Sequence, residues 1–323
     1  MIYITGATGF IGARLAQRLL ERGEKVRCLV RSPARAERLR ALGAELTVGD
    51  VADEQAHLEG MRGVALAYHL AAIYDVGVVD AAALERTNIE GTRAFLSAAE
   101  KSGVARTVYV STTAALGPVR AADTEPRDAY AAPYPSHYHR TKAEAHRLAR
   151  SAQARGQPLI IACPAFVYGP GDEGPGGRFM RDLLRGRVPG LLTQPARFSY
   201  VFVDDVVDGL MAAGERGRIG ETYLFTGEAA SVNEFAERVV RLAGKRLPLL
   251  RFPPVLARGT GVLLDLIARP TGLRFPISRE AVATASGSAW VHTHERASRD
   301  LDYHPRSLDQ GLPETIAAFQ ATA

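Results

Sequence analysis

The chain has 323 residues, 46% hydrophobic and 23% charged, a balance that suits a globular protein of about two domains rather than a disordered or fibrous one. No run of ~18 apolar residues is available to span a bilayer. The net charge is +5 and the isoelectric point near 9.3, but the 36 arginines are dispersed and no nucleic-acid motif accompanies them. Nucleic acid is therefore not an expected partner; an anionic cofactor or substrate accounts for part of the excess, and a solvated arginine-rich surface for most of it.

Residues 2–5 form a short apolar strand, followed by a glycine-rich turn and an amphipathic helix over 10–22. Gly6, Gly9 and Gly12 have the G-x-x-G-x-x-G spacing. The first glycine permits a tight turn, and the second lets backbone approach a pyrophosphate. The third allows close helix–strand packing, with the helix N-terminus as the positive dipole end. No Gly-Lys-Ser/Thr follows, so the turn is not a Walker loop. Further strands are predicted over 25–30, 45–48, 64–69, 105–110 and 158–163, and helices over 33–41, 80–101 and 136–154. This alternation predicts an α/β fold, a Rossmann-type doubly wound parallel sheet. After Cys163 the regularity fades. Residues 164–200 are rich in Gly, Pro and Arg, and the remainder reads as helical segments broken by prolines. The expected organisation is a cofactor-binding domain over 1–165, with a return segment near 200–226, and a smaller, mainly helical C-terminal substrate lobe over 166–323.

The stretch PSHYHRTKAEAHRLAR places Tyr138 and Lys142 four residues apart, on one face of a helix. An ammonium beside a phenol favours phenolate and lowers a pKa that starts near ~10. Such a tyrosine exchanges protons with a substrate oxygen as a general acid or base. Only 4 lysines occur in the chain, so a lysine here stands out against a basic surface built of arginine.

The second strand ends in Arg31, followed by Ser32 and, one turn on, Arg35; no acid appears until Glu37. An acid at this place accepts from the ribose 2′-hydroxyl of NAD, whereas arginine suits a 2′-phosphate. The expectation is NADP(H) rather than NAD(H), with Arg31 the main phosphate ligand and Ser32 or Arg35 assisting.

Together the glycine turn and the Tyr138–Lys142 pair resemble the extended short-chain dehydrogenase/reductase superfamily, over most of the chain. In that resemblance Gly6, Thr8, Gly9, Phe10, Ile11 and Gly12 form the nucleotide loop. GDVAD (49–53) is similar to the segment whose Asp50 and Val51 line the adenine pocket, and YHLAA (68–72) to the strand end whose Leu70, Ala71 and Ala72 pass beneath the ribose. TNIEGT (87–92) supplies Asn88, which helps hold the site together. VYVSTTAALG (108–117) supplies the hydroxyl, aligned on Thr112, with Ser111 and Thr113 as flanking candidates. PAFVYGPGD (164–172) resembles the loop beside the nicotinamide, with Pro164, Phe166 and Val167 in contact. FVDDVVDG (202–209) resembles the return from the substrate lobe. The cofactor strand, the STTAALG segment and the Pro- and apolar-rich residues 249–277 are similar to the dihydroflavonol-reductase and 3β-hydroxysteroid-dehydrogenase branch.

That resemblance implies an enzyme moving hydride between NADP(H) and a small-molecule carbonyl or alcohol, with Tyr138, Lys142, Thr112 and Asn88 as catalytic residues and a homodimer as the assembly. Two alternatives stand beside it. One is a nucleotide-sugar epimerase or dehydratase with retained NAD, for which Arg178, Arg181 and Arg197 are the diphosphate candidates; Arg197 is one position out of the usual register. The other is a non-catalytic NADP(H)-binding sensor. The remaining polar residues read as structural. His137/His139 and His292/His294 lack companions at metal-ligand spacing, so no metal is expected. His137 and His139 flank Tyr138 and are expected to face solvent rather than the pocket, His69 to be a satisfied core residue, and Asp204 and Asp205 to serve a helix N-terminus. Cys28 and Cys163 lie in apolar runs and read as reduced core residues of a cytoplasmic protein.

Overall fold

The computed structural model describes residues 1–77, 80–119, 128–247, 250–271, 275 and 277–321. Within the apolar stretch 249–277, positions 249, 272–274 and 276 lie outside the described residues. The six predicted strands form β1 (Ile2–Thr5), β2 (Val26–Val30), β3 (Glu45–Val48), β4 (Leu66–His69), β5 (Arg106–Val110) and β6 (Leu159–Pro164). Between them lie α1 (Phe10–Glu21), a 3₁₀ turn Pro33–Ala36 running into α2 (Glu37–Ala41), and α3 (Glu54–Gly60). Then come α4 (Ala81–Glu85), a π-helical turn Arg86–Glu90, α5 (Gly91–Lys101) and α6 (His137–Ala154). The predicted helix 80–101 is thus interrupted by one π turn. Helix α3 was not predicted; its start signal is Asp53, whose carboxylate accepts from the Gln55 backbone N–H.

Beyond β6 follow β7 (Phe166–Tyr168), α7 (Pro175–Leu184), β8 (Gly190–Leu192), β9 (Arg197–Phe202), α8 (Val203–Arg216) and β10 (Thr222–Phe225). The chain then forms β11 (Glu228–Ser231), α9 (Val232–Leu242), β12 (Leu250–Phe252), α10 (Pro254–Thr271), α11 (Arg279–Ala285), β13 (Ala289–Trp290), α12 (Glu295–Leu301) and α13 (Leu308–Ala321).

The main sheet runs β10-β6-β5-β4-β1-β2-β3, all neighbours parallel. Period-two alternation divides its side chains. Ile2, Ile4, Val108, Val110, Ile160 and Ala162 point into a core with α1 and α8, while Tyr3, Tyr109, Leu159, Ile161 and Cys163 point into one with α3, α5 and α6. Strand order reverses at β1 and β4, which opens a crevice at their carboxyl ends. A third core joins α7, α9 and α13 to the second half of the chain. That half also holds a small sheet, β11-β9-β13 with β7 on β9, so β9 does not return to the main sheet; α8 and β10 do. Asp204 and Asp205 lie in the first turn of α8 and bind at long range as well: Asp204 accepts from Arg14 of α1 (3.1 Å) and Asp205 from Arg306 (2.9 Å).

Candidate active site

Every segment singled out for a cofactor leaves the main sheet at the carboxyl end of a strand: Gly6–Gly12 after β1, Arg31–Arg35 after β2, Asp50 and Val51 after β3, Leu70–Ala72 after β4, and Phe166 and Val167 after β6. Gly6 has φ +73°, and a Cβ there would stand 2.7 Å from the Ala71 nitrogen. The turn after β1 and the loop after β4 touch backbone to backbone, which only glycine allows. A Cβ on Gly12 would stand 2.2 Å from the Gly6 carbonyl oxygen, so the first turn of α1 presses directly on that loop. Gly9 is the N-cap of α1 and brings no side chain to cap it. The first N–H groups of a 12-residue helix therefore face the crevice without a side-chain partner, as a pyrophosphate site requires. Thr8 is exposed on this turn, while the Phe10 and Ile11 side chains pack toward the C-terminal half. Arg31 and Arg35 are exposed beyond β2, Ser32 is half-buried, and neither arginine forms an ion pair among the described residues. These features fit a dinucleotide.

Buried histidines that the sequence did not assign to the site hold its loops. His57 pairs through Nε2 with the Val51 carbonyl (2.7 Å) and through Nδ1 with Tyr3 Oη (2.9 Å). A carbonyl only accepts, so the His57 proton sits on Nε2. The turn carrying Val51 is held from beneath. His69 is a satisfied core residue with a defined tautomer. Thr92 Oγ1 donates to the Asn88 carbonyl (2.8 Å), so it accepts from His69 Nε2 (3.2 Å); His69 Nδ1 then accepts from Thr5 Oγ1 (2.8 Å), which accepts from the Ala71 N–H (3.2 Å). Burial holds the His69 pKa well below its usual value, so the relay stays neutral.

Tyr138 and Lys142 lie on α6, both buried. The helix starts at Ser136, whose hydroxyl accepts from the His139 N–H. Of the three hydroxyls after β5, Ser111 pairs with His146 (2.8 Å), away from the crevice. The Thr112 hydroxyl accepts from the Ala114 N–H (3.2 Å) and is the one group that opposes burial at the Tyr138 phenol. Burial wins, and the Tyr138 pKa is pushed up to about 12. The expected lowering by Lys142 does not figure at the phenol, where burial dominates; burial also brings the Lys142 ammonium down to about 8. Lys142 Nζ donates to the Val110 carbonyl (3.1 Å), leaving donors for a ribose.

Asn88 sits in the π turn. Its amide accepts from the Ile73 N–H (2.8 Å) and donates to the Ile73 carbonyl (3.1 Å) and to Thr141 Oγ1 (3.0 Å). Thr141 in turn donates to the Tyr138 carbonyl (3.1 Å), so Asn88 clamps the loop after β4 to the tyrosine's own turn. The extra residue of the π turn aims the amide at both partners.

An aromatic wall leads away from Tyr138. Half-exposed Tyr74 lies 4.8 Å from its ring, and the line continues through His139 (5.9 Å), Trp290 (5.0 Å from His139), Phe198 (6.5 Å) and Phe166 (5.7 Å). The expectation of solvent exposure holds for His137 but not for His139, which is buried against Trp290. The Phe166 ring packs on Tyr200 (4.9 Å), and Pro164 ends β6 as a buried residue. Arg178, Arg181 and Arg197 each have protein partners: Asp75 (2.8 Å), the Asp172 carbonyl (2.7 Å) and Glu234 (3.1 Å). Among the described residues no group of His, Cys, Asp and Glu could hold a metal.

A switch-point crevice with an uncapped helix N-terminus, a Tyr–Lys pair and an adjacent hydroxyl defines a nicotinamide-dinucleotide enzyme of the extended short-chain dehydrogenase/reductase type. The profile of the NAD dependent epimerase/dehydratase family matches residues 2–224, and the chain belongs to that family. It is 33% identical to Sterol demethylase protein B of Methylococcus capsulatus, covering 98% of this chain and 97% of that protein. It is 30% identical to a putative dihydroflavonol 4-reductase of Synechocystis sp., over 98% and 94%. The crystal structure of gox2253 superposes with a TM-score of 0.83 at 31% identity, over 100% and 98% of the two chains. A Thermus thermophilus UDP-glucose 4-epimerase in complex with NAD shares the fold, with a TM-score of 0.76 at 22% identity over 100% and 99%.

Proposed function

We propose that the protein is an NADP(H)-dependent oxidoreductase acting on the carbonyl or secondary alcohol of an apolar, ring-bearing substrate. The observation that carries this reading is the row of aromatic rings from Tyr138 to Phe166, in which Tyr74, Phe166 and Phe198 keep exposed surface. Such a row suits a flat apolar body with one reacting oxygen. A sugar diphosphate would need free cations, and the three candidate arginines are taken up by protein groups. The names of the sterol- and flavonol-related relatives point the same way. Arg31 and Arg35, which have no ion-pair partner among the described residues, support the 2′-phosphate.

The bound nicotinamide supplies the hydride chemistry. In the direction of reduction Tyr138 Oη gives its proton to the substrate oxygen, which its raised pKa keeps available at neutral pH. Thr112 positions that oxygen, Lys142 stabilises the phenolate left behind and holds the ribose, and Asn88 positions the tyrosine through Thr141. Residues 1–165 with the return segment bind the cofactor, 166–323 shape the substrate pocket, and a homodimer completes the reading.

Tyr138→Phe should lower kcat on a panel of aromatic and steroidal ketones by about 10²–10⁴-fold while NADPH titration is unchanged. Turnover that survives the substitution removes Tyr138 from the mechanism. Stoichiometric NAD released on denaturation would replace the reading with internal redox on a retained cofactor.

A further inference from the structure

Helix α10 is amphipathic in the wrong sense for a surface helix. Its inner side carries small residues: Gly261, where a Cβ would stand 2.7 Å from the Arg279 nitrogen, and buried Ala268. Its outer side carries the large ones. Val255 is 80% exposed, Leu263 64%, Leu256 60% and Leu266 59%, with Val262 and Ile267 beside them. Their spacing, at 255, 256, 262, 263, 266 and 267, follows one helical stripe. A contiguous exposed apolar patch of this kind marks an interaction surface.

Charge selects the partner. Residues 245–279 hold seven Lys or Arg and one acid, Asp265, a net +6 where the whole chain carries +5. The basic excess of the protein is therefore concentrated in this segment, with Arg258 of α10 and Arg279 of α11 exposed. A second copy docking through the same face would oppose two such segments, whereas an anionic lipid surface accepts both the leucines and the arginines. No helix of the described residues is long and apolar enough to cross a membrane. We propose that α10 lies in the plane of an anionic lipid bilayer and docks the protein on it. The helix meets the start of α11, where Asp265 accepts from the Arg279 N–H (3.1 Å), and the next residue, Glu280, accepts from the Gly77 N–H (3.2 Å), on the loop that carries Tyr74, and from the His137 N–H (3.2 Å) at the start of α6.

The proposal is independent of the redox reading and is tested by flotation of the full chain with vesicles. Phosphatidylglycerol/phosphatidylcholine vesicles should carry the protein up the gradient, phosphatidylcholine alone about tenfold less, and about 0.5 M salt should weaken the effect. Leu263→Glu with Leu266→Glu should reduce flotation at least about tenfold, with NADPH titration unchanged as the check on folding. Leu42→Glu, at an exposed apolar site elsewhere, should float as the wild type does. Failure of the wild type to float, or flotation of the double variant at the wild-type level, overturns the proposal. A dimer without vesicle binding that the double variant dissociates also overturns it and assigns the face to a second copy.

Discussion

At the scale of single residues, burial is the decisive force in the crevice. It raises the phenol of Tyr138 to about 12 and lowers the ammonium of Lys142 to about 8, favouring the neutral form of each group. Arg31 is the opposite case: an exposed cation with no protein ion pair among the described residues. Charge-assisted bonds to a phosphate contribute about 1.5–3 kcal/mol. Arg31→Asp should therefore weaken NADPH by about 10²-fold and NADH by much less, as read by fluorescence titration; equal losses would show that Arg31 does not select the cofactor. Gly6, Gly12, Tyr138 and Lys142 were legible in sequence because their roles depend on fixed local spacing. His57, His69, Tyr74 and Trp290 were not. Their partners lie 54, 64, 64 and 151 residues away at Tyr3, Thr5, Tyr138 and His139, and no local pattern signals such contacts.

At the scale of elements, glycine has opposite meanings in α1 and α10. Gly12 is pressed on the Gly6 carbonyl, so Gly12→Ala should destabilise the protein by about 1–3 kcal/mol and weaken dinucleotide binding as α1 is pushed off its loop. Gly259, inside α10, has nothing within 4 Å of a built Cβ, so Gly259→Ala should stabilise by about 0.5–1 kcal/mol. Urea unfolding of both variants checks the pair; equal signs would contradict the packing. The strands were legible from short apolar runs, which stay buried on both faces of a parallel sheet. The π turn in the predicted helix 80–101 was not. Nothing in RTNIE breaks a helix locally, and the turn is explained by what Asn88 reaches, Ile73 and Thr141.

For the whole molecule, the buried histidines set the response to acid. His57, His69, His139, His146, His292 and His294 all have pKa values lowered by burial, to about 4 at His139 and His292 and about 3 at His146. The unfolded chain takes up these protons near pH ~6.5. Their stabilisation is present above that value and is lost as pH falls through it toward the folded values. Asp172 and Asp205, raised by burial, act in the opposite sense within the carboxylate range. The urea midpoint should drop between pH 6.5 and 4, and His146→Gln should flatten the drop; a midpoint unchanged across that window would contradict it. The sequence by itself determined the sheet, the dinucleotide loop and the Tyr–Lys pair, because periodicity, backbone freedom and one helical turn are properties of neighbours along the chain. Only the tertiary structure decided which residues hold the crevice loops, that His139 is buried against Trp290, and which face of α10 stays bare. Those follow from desolvation and packing between segments that the chain order keeps far apart.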